Sequence, residues 1–323
     1  MKKFISLIAF VFFNNFLFAN YLDRDEVQDF IDFMHEEHKF SKEYLSKTLS
    51  QAKKQQKIID LMNNPSEKIT SWDDYKKRVS LTRVQSGIRF INTYKKWFIK
   101  AEEEYGIPRE IIASIIGLET NYGGYKGNTR VIDALTTAAF DYPRRRSFFK
   151  TQLEEYFLLS REEDFDPLQI KGSYAGAMGF VQFMPDNYRR LAVDFDGDGE
   201  KDILNNPADA IGSVANFLSS TDGNKRGWNA NGFIAVKANA KKSNKLIKSS
   251  FKLKPYEDLD IKAEKEHDFT GEYIQISLFP NDSYKEEYWL GDKNLYAITR
   301  YNPSSKYAMT VFLLSEEIAN IGK

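Results

Sequence analysis

The sequence predicts a mainly α-helical protein of the α+β class, with a helical core, a helical N-terminal region and a small lobe that contains β-strands. Apolar residues recur at three- and four-residue steps through residues 21–100, as in "SGIRFINTYKKWFIKAEEEYG", which is the period of an amphipathic helix. Apolar and polar residues instead alternate in "EYIQISLFP" (residues 272–280) and "LYAITRYN" (residues 295–302), which is typical of half-buried strands. The composition, 42% hydrophobic and 15% aromatic, is sufficient for packed cores in both parts.

The N-terminus, residues 1–19, is predicted to be a signal peptide. Two lysines precede an apolar run from Phe4 to Phe18, and cleavage is expected after the small residue Ala19. A membrane anchor is the alternative, but Asn14 and Asn15 interrupt a run that is already shorter than the roughly 20 residues of a spanning helix. No cysteine is present to form a lipobox, so no lipid anchor is expected. The mature protein is expected to be soluble and periplasmic.

Changes in composition divide the remaining chain into four predicted segments. A helical region covers residues 20–98, and residues 99–225 form a core that holds most of the unusual local chemistry. A small α/β lobe follows over residues 226–295, and its Lys-rich stretch "KKSNKLIKSSFKLK" is expected to be loop or the periphery of the small domain. Residues 296–323 contain the helical "MTVFLLSEEIANI" and are expected to return to the core.

Charge and cysteine content exclude several classes of function. Lys+Arg and Asp+Glu both number 46, so no basic field predicts a nucleic-acid partner. The absence of cysteine excludes disulfide bonds, thiolate metal sites and a cysteine nucleophile. No organic cofactor is expected.

A carboxylate lies where the sequence predicts a buried helix face. Pro108 fits the first turn of a helix, and Gly123–Gly124 is expected to end it. Glu119 then lies about 20° around the helix axis from Ile112, on a stripe that is otherwise isoleucine. Burial and the negative end of the helix dipole both disfavour the charged form, so we expect a raised pKa and a general acid. The alternative is a Glu that reaches solvent or pairs with an arginine such as Arg130.

Three further stretches have the composition of a sugar-binding groove. "KGSYAGAMGFVQFMP" (residues 171–185) places glycines among small residues, which allows a ligand to approach the backbone closely. "FDYPRRRSFF" (residues 140–149) contains three successive arginines suited to carboxylates or sugar hydroxyls. "ITRYNPSSKYAM" (residues 298–309) supplies aromatic rings and an amide. Each stretch also has an ordinary structural interpretation: glycine packing, a solvated basic turn and strand aromatics.

These motifs, in this order, resemble the lytic murein transglycosylase B family, in which a lysozyme-like core cleaves peptidoglycan. The resemblance runs from about residue 80 to the C-terminus and includes "IIGLETNYG", "DALTTAAFDYPRRR" and "NPADAIGSVANFL". It implies that Glu119 is the sole catalytic acid/base. The residues that it implies for the glycan groove are Arg144, Arg145, Ser173, Gln182, Tyr301, Asn302 and Tyr307, together with Phe217, which stands at a position that is Tyr in a well-known member.

An acidic loop predicts a divalent-cation site. "DFDGDGEKDILNNPAD" places Asp194, Asp196 and Asp198 at alternate positions before a glycine at the sixth, as an EF-hand loop begins. The usual Glu at the twelfth position is absent, and Asp209 in the next helix is a candidate to complete the ligand shell. The resemblance implies a structural calcium ion held by these four aspartates and the Glu200 carbonyl. The alternative is an Asp-Gly turn followed by a helix-capping aspartate.

Three functions compete. The resemblance implies an exported enzyme that cleaves the β-1,4 bond between N-acetylmuramic acid (MurNAc) and N-acetylglucosamine (GlcNAc) and leaves a 1,6-anhydro-MurNAc end. A muramidase would hydrolyse the same bond but needs a second carboxylate at about 5 to 9.5 Å, for which Asp133 and Asp141 are nominal candidates. The third function is an inactive, calcium-stabilised glycan-binding scaffold, and retention of Glu119 counts against it. The expected partner is the peptidoglycan strand, and the sequence identifies no cell-wall synthesis or remodelling protein.

Overall fold

The computed structural model describes residues 21–64, 70–221, 227–230, 232–241, 247–265, 269–279 and 286–322. The predicted signal peptide and its cleavage site lie outside the described residues. Within those residues, no helix combines the length and the apolar character needed to cross a bilayer. The chain divides into two compact units after Ala52.

The first unit is helical, as predicted for this part of the chain. A 3-10 turn at Tyr21–Asp23 precedes helices α1 (Asp25–His38) and α2 (Lys42–Leu49). Helix α1 ends where Lys39 adopts a left-handed conformation with φ 61°. Ser41 then begins α2, because its side chain accepts a hydrogen bond from a backbone N–H of the first turn.

The second unit contains the helical core. Its helices are α3 (Gln56–Asn63), α4 (Trp72–Lys76), α5 (Leu81–Thr93), α6 (Lys95–Tyr105), α7 (Arg109–Thr120), α8 (Val131–Asp141), α9 (Arg146–Glu162), α10 (Pro185–Leu191), α11 (Pro207–Ser219), α12 (Lys293–Tyr301) and α13 (Ser305–Ile321). A two-stranded antiparallel pair, β1 (Thr129–Arg130) with β2 (Lys171–Gly172), joins two of the connections between them.

Helix α7 is the central element of this core, and it packs against α5, α6, α11 and α13. All four of its isoleucines are buried. The predicted end at Gly123–Gly124 is wrong, because the helix already ends at Thr120. Asn121 takes the left-handed conformation with φ 52°, and its backbone N–H bonds back to the Gly117 carbonyl. Glu119 therefore lies in the last turn of the helix.

A five-stranded antiparallel sheet forms the predicted lobe, with the strand order β4-β6-β7-β3-β5. Its strands are β3 (Ala235–Ala240), β4 (Ser250–Pro255), β5 (Ile261–Ala263), β6 (Glu272–Leu278) and β7 (Glu287–Gly291). Buried side chains such as Ile261, Tyr273 and Leu290 build a separate hydrophobic cluster on the sheet. Strand β6 confirms the strand predicted for "EYIQISLFP".

One prediction for this part of the chain is wrong. "LYAITRYN" forms helix α12 and not a strand, because the Asp292 side chain caps two backbone N–H groups of the first turn, and Leu295 and Ile298 are buried at a helical spacing. The end of "KKSNKLIKSSFKLK", predicted as loop or the periphery of the small domain, belongs to β4, which begins at Ser250. This strand lies at an edge of the sheet, where the exposed Lys252 and Lys254 suit an edge position.

Candidate active site

A cavity of about 360 Å³ opens beside the last turn of α7. The described residues that line it are Gln55, Lys57, Ile58, Leu61, Glu119, Tyr125, Gly127, Asn128, Thr129, Gly172, Ser173, Tyr174 and Gln182. Among these described residues, Glu119 is the only carboxylate and Lys57 the only cation. The cavity wall thus combines the predicted acid with the glycine-rich stretch 171–185.

Helix α13 holds Glu119 through a tyrosine. The Tyr307 hydroxyl donates a hydrogen bond to Glu119 Oε1 at 2.7 Å, and the tyrosine side chain is only 3% exposed. Burial, followed by the neighbouring Glu119 charge, raises the pKa of Tyr307 well above its ordinary value. Tyr307 therefore stays protonated and acts as a permanent donor to this carboxylate.

Tyr301 connects the same site to the glycine-rich stretch. Its hydroxyl donates to the Val181 carbonyl at 2.6 Å, and its ring stacks on Tyr307 with a centroid distance of 6.4 Å and an angle of 7°. Phe217 packs edge-on against the Tyr301 ring at 4.6 Å. Burial, with a smaller contribution from the Glu119 charge, raises the pKa of Tyr301 as well. The aromatic stack fixes the position of the Tyr307 hydroxyl.

Ser173 and Gln182 both line the cavity, and each is oriented by backbone contacts. Ser173 Oγ accepts hydrogen bonds from the N–H groups of Ala175 and Ala177 at 3.3 and 3.0 Å, so its hydroxyl hydrogen can point to a ligand. The Gln182 amide nitrogen donates to the carbonyls of Gly179 and Lys126 at 2.9 and 3.2 Å. The Gln182 carbonyl oxygen is thereby oriented as an acceptor.

The wall of the cavity requires glycine at position 127. Gly127 has φ +91°, and a Cβ atom there would lie 2.0 Å from the Gly172 carbonyl oxygen. A side chain would therefore clash with the backbone of the facing chain and would occupy a strained conformation. The close approach brings residues 127–129 and 172–174 together on one side of the cavity.

The other predicted groove residues lie elsewhere. Arg144 and Arg145 form part of the exposed turn Pro143–Arg145 and are not among the described residues that line this cavity; the Arg145 guanidinium lies 4.0 Å from the Phe148 ring. Phe217 is 3% exposed, and Asn302 is the residue that ends α12. Contacts of these residues with a ligand remain predictions.

The two candidates for a second carboxylate are engaged in ion pairs away from the cavity. The Arg130 guanidinium donates to both oxygens of Asp133 at 2.7 and 2.9 Å, and the Lys53 backbone N–H donates to the same carboxylate. Asp141 pairs with Lys54 at 3.0 Å. Neither aspartate is among the described lining residues.

Residues 55–61 contribute to the cavity, although their sequence does not predict it. This segment is anchored on helix α8, because the Gln55 N–H donates to Thr137 Oγ1 at 3.1 Å and the Tyr142 hydroxyl donates to the Met62 carbonyl at 3.4 Å. These contacts join residues about 80 positions apart, and nothing in the local pattern of "QQKIIDLM" indicates them. The amphipathic pattern of the segment predicts only that one face of its helix packs against the protein.

The acidic loop brings three carboxylates together. Oxygen atoms of Asp194, Asp196 and Asp209 lie within 4.8 Å of one another. Asp209 is fully buried and accepts hydrogen bonds from the N–H groups of Phe195 and Asp202 at 2.7 and 2.8 Å. Burial, and then the charges of Asp196 and Asp194, raise the pKa of Asp209. A hard cation with oxygen ligands would offset this concentration of negative charge, so the donor set fits calcium.

Asp198 and Glu200 are exposed and stand outside this group of three. Asp198 Oδ1 accepts a hydrogen bond from the Glu200 N–H at 2.9 Å, and the Asp194 carboxylate accepts from the N–H groups of Gly197, Asp198 and Gly199. The loop is therefore already folded around Asp194. A role for Asp198 and for the Glu200 carbonyl as ligands remains a prediction.

Comparison with known proteins agrees with this lysozyme-like arrangement of a helical core and a small β lobe. The family described as "Transglycosylase SLT domain" matches residues 23–316, which extends well before residue 80, where the resemblance seen in the sequence begins. The membrane-bound lytic murein transglycosylase B of Escherichia coli (strain K12) is 39% identical over 313 residues, covering 93% of this chain and 84% of that protein. The chain belongs to this transglycosylase family, and its class is that of the lytic murein transglycosylases.

Two solved structures extend the comparison to the fold. The lytic transglycosylase SLT35 of Escherichia coli, in complex with calcium, is 37% identical with a TM-score of 0.82 and 94% of each chain covered. The catenated lytic transglycosylase SltB1 of Pseudomonas aeruginosa is 36% identical with a TM-score of 0.84, covering 93% of this chain and 99% of that one. The mainly α fold with a small sheet is therefore that of the relatives.

Proposed function

We propose that this protein is an exported lytic transglycosylase that cleaves the β-1,4 bond between MurNAc and GlcNAc in peptidoglycan and leaves a 1,6-anhydro-MurNAc end. Glu119 acts first as the general acid and then as the general base. The family and the names of the relatives support the class of reaction. The cavity beside Glu119 supports the assignment of the residue.

The observation that carries the proposal is that one carboxylate lines the cavity among the residues that the structure describes. Glu119 is the only acidic residue among the described lining residues, and Asp133 and Asp141 are bound to Arg130 and Lys54 instead. A hydrolase of the usual kind needs two carboxyl groups facing one bond, either to position water or to act as a nucleophile. A cleft with one carboxylate favours a reaction in which the substrate supplies its own nucleophile.

In the first step, Glu119 protonates the oxygen of the glycosidic bond as that bond breaks. The last turn of α7 suits this role, because the carbonyl end of a helix disfavours a negative charge and thus favours a carboxyl group that holds a proton. The hydrogen bond from Tyr307 to Oε1 restricts the rotation of the carboxyl group. Proton transfer by a positioned group contributes typically a factor of about 100 to 10,000 in rate.

In the second step, the sugar closes on itself. The oxocarbenium-like centre at C1 of MurNAc is stabilised by the oxygen of its own N-acetyl group, as in substrate-assisted glycosidases. Glu119, now ionised, removes the proton from the C6 hydroxyl of the same sugar, and O6 attacks C1. Holding both groups within one bound sugar makes this attack effectively unimolecular. The proton returns to Glu119, so the enzyme is regenerated without water.

The polar groups of the cavity wall have the chemistry to hold the sugar in place. The Ser173 hydroxyl and the Gln182 carbonyl are oriented by their own backbone contacts, so binding to them costs little conformational entropy. We propose that both bind sugar hydroxyl or N-acetyl groups. The Tyr301–Tyr307 stack acts from behind Glu119 and keeps the acid in position.

A structural calcium ion is proposed for the acidic loop. Asp194, Asp196 and Asp209 would supply carboxylate oxygens, with Asp198 and the Glu200 carbonyl completing the shell. The ion would supply only charge compensation, because the loop belongs to the connection between α10 and α11 and none of its aspartates lines the cavity with Glu119. That the SLT35 structure is a calcium complex supports the choice of metal.

The location follows from the substrate. Peptidoglycan lies outside the cytoplasmic membrane, and the lysine-plus-apolar N-terminus has the layout of a signal peptide. We propose that the mature enzyme begins near residue 20, acts in the periplasm and binds glycan strands as its partner.

Analysis of the products tests the proposal. Purified peptidoglycan is digested with this enzyme and, in parallel, with a hydrolytic lysozyme, and the fragments are compared by mass spectrometry. Fragments lighter by one water that resist borohydride reduction are expected. A majority of reducible MurNAc ends would identify a muramidase, and the absence of any soluble fragment would favour the scaffold.

A further inference from the structure

Lys57 is the one charged residue of the cavity, apart from Glu119, among the described lining residues. It lies on α3, whose position on the core is fixed by the backbone anchors at Gln55 and Met62. The side chain is exposed, and within the described chain its ammonium group has no hydrogen-bond or ion-pair partner. An unpaired cation in a fixed position at a substrate cleft is available for an anionic ligand.

Three cations of neighbouring segments are engaged in contacts within the protein. The Lys126 ammonium donates to the Leu204 carbonyl at 2.6 Å, and Arg130 binds Asp133. Lys54 pairs with Asp141. The positive charges of these three side chains are therefore bound within the protein, whereas Lys57 lines the same cavity as Glu119.

Two exposed hydrophobic side chains line the same cavity as Lys57. Leu61, one turn further along α3, is 38% exposed, and Tyr125 on the facing loop is 65% exposed. A cavity wall that combines one cation with an exposed aliphatic and an exposed aromatic side chain suits a ligand that carries carboxylates on a short, partly apolar chain.

We infer that Lys57, with Leu61 and Tyr125, recognises the acidic peptide substituent of the MurNAc residue that is cleaved. This inference rests on the proposed function and specifies its substrate as glycan strands with peptide stems that keep free carboxylates. The ammonium group binds a stem carboxylate, and the two apolar side chains contact the methyl and methylene groups of the peptide. Lys57 acts as a specificity determinant and takes no part in proton transfer.

The test compares matched substrates that differ only in charge. Glycan strands with native stems are compared with the same strands after their stem carboxyl groups have been converted to methylamides. The wild-type protein is expected to favour the native strands in kcat/KM by about tenfold, the effect of one charge-assisted hydrogen bond. Most of that preference is expected in KM, and it should shrink as salt is raised.

Variants assign the preference to Lys57. Lys57→Met keeps the aliphatic stem and is expected to reduce the preference to nearly one, whereas Lys57→Arg should keep most of it. Lys252→Met, a change to an exposed lysine of strand β4, is the matched control and should leave the ratio unaltered. Circular dichroism and the melting temperature confirm that each variant is folded.

Two results would overturn the inference. The first is a wild-type protein and a Lys57→Met variant with the same preference. The second is a Lys57→Met variant that loses as much kcat/KM on strands without stems as on native strands. Strands without stems keep only the lactyl carboxylate. Failure of the proposed function is a separate result, because it would appear as reducible ends in the products of the wild-type protein with any of these substrates.

Discussion

The cleft at Glu119 and the acidic loop at Asp194 both hold a carboxylate in a poorly solvated place, but they support it in different ways. Glu119 is half-buried, contacts a tyrosine hydroxyl and faces a cavity of about 360 Å³. Asp209 is fully buried, binds two backbone N–H groups and has two further aspartates beside it. The first environment leaves room for a ligand that exchanges a proton, whereas the second favours a permanent charge beside a cation. Removing either carboxylate should therefore have a different consequence.

The largest expected effect is on turnover, in the variant Glu119→Gln. The amide keeps the shape of the side chain but cannot deliver a proton, so activity should fall by about 100-fold or more while the fold is retained. Turnover is measured by release of soluble fragments from peptidoglycan, and circular dichroism is the control for folding. A variant that keeps a tenth of the wild-type rate would contradict the assignment of Glu119.

The variant Tyr307→Phe tests whether the Tyr307 hydroxyl orients the Glu119 carboxyl group. Its ring can still stack on Tyr301, but the donor to Glu119 Oε1 is lost, and we expect kcat to fall by about tenfold with little change in KM. Steady-state kinetics on soluble strands separate the two constants. An unchanged kcat would mean that the hydrogen bond does not orient the acid.

Removal of calcium tests the acidic loop that contains Asp194 and Asp196. Binding to the folded state alone should raise the melting temperature, with a stabilisation of about 2.7 kcal/mol when free calcium is a hundredfold above its dissociation constant. The double variant Asp196→Ala/Asp198→Ala should lose this response. Glu200→Gln keeps the backbone carbonyl and should retain it, which makes this variant the matched control. If the chelated wild-type protein gives the same melting temperature with and without added calcium, the loop is not a calcium site.

The smallest effect is expected where a hydrolase would show a large one. Asp141→Asn should leave the specific activity within about twofold, because the lost contact is a partly exposed ion pair with Lys54.

Asp133→Asn should lower the free energy of unfolding by about 1–3 kcal/mol, because a buried acceptor of several hydrogen bonds is altered. The rate of the folded enzyme should change little. A loss of about 100-fold in either variant, measured on folded protein, would indicate a second catalytic carboxylate.

The sequence predicted the local features of both regions better than their surroundings. The helical stripe that carries Glu119 and the alternating aspartates from Asp194 to Asp198 are encoded in spacings of two to four residues, so pattern alone indicated them. The end of α7 could not be predicted in this way, because Asn121 adopts a conformation that glycine usually takes and stops the helix before Gly123.

Contacts between residues far apart in the chain could not be predicted from the sequence. The strand predicted for "LYAITRYN" forms a helix because the Asp292 cap and the buried positions in the fold outweigh an alternating pattern. The hydrogen bond from Tyr307 to Glu119 joins residues 188 positions apart, and residues 55–61 reach the cavity through anchors on α8. Lys57 therefore emerged as a candidate only once the chain was folded.

Digestion in water enriched in oxygen-18 decides whether Glu119 and the C6 hydroxyl of the substrate complete the reaction without water. Peptidoglycan is cleaved by the wild-type protein in the labelled water, and the new MurNAc ends are examined by mass spectrometry against an undigested sample treated in the same way. We expect 1,6-anhydro ends that contain no oxygen-18. Labelled, reducible MurNAc ends as the main product would contradict it, because water would then be the nucleophile.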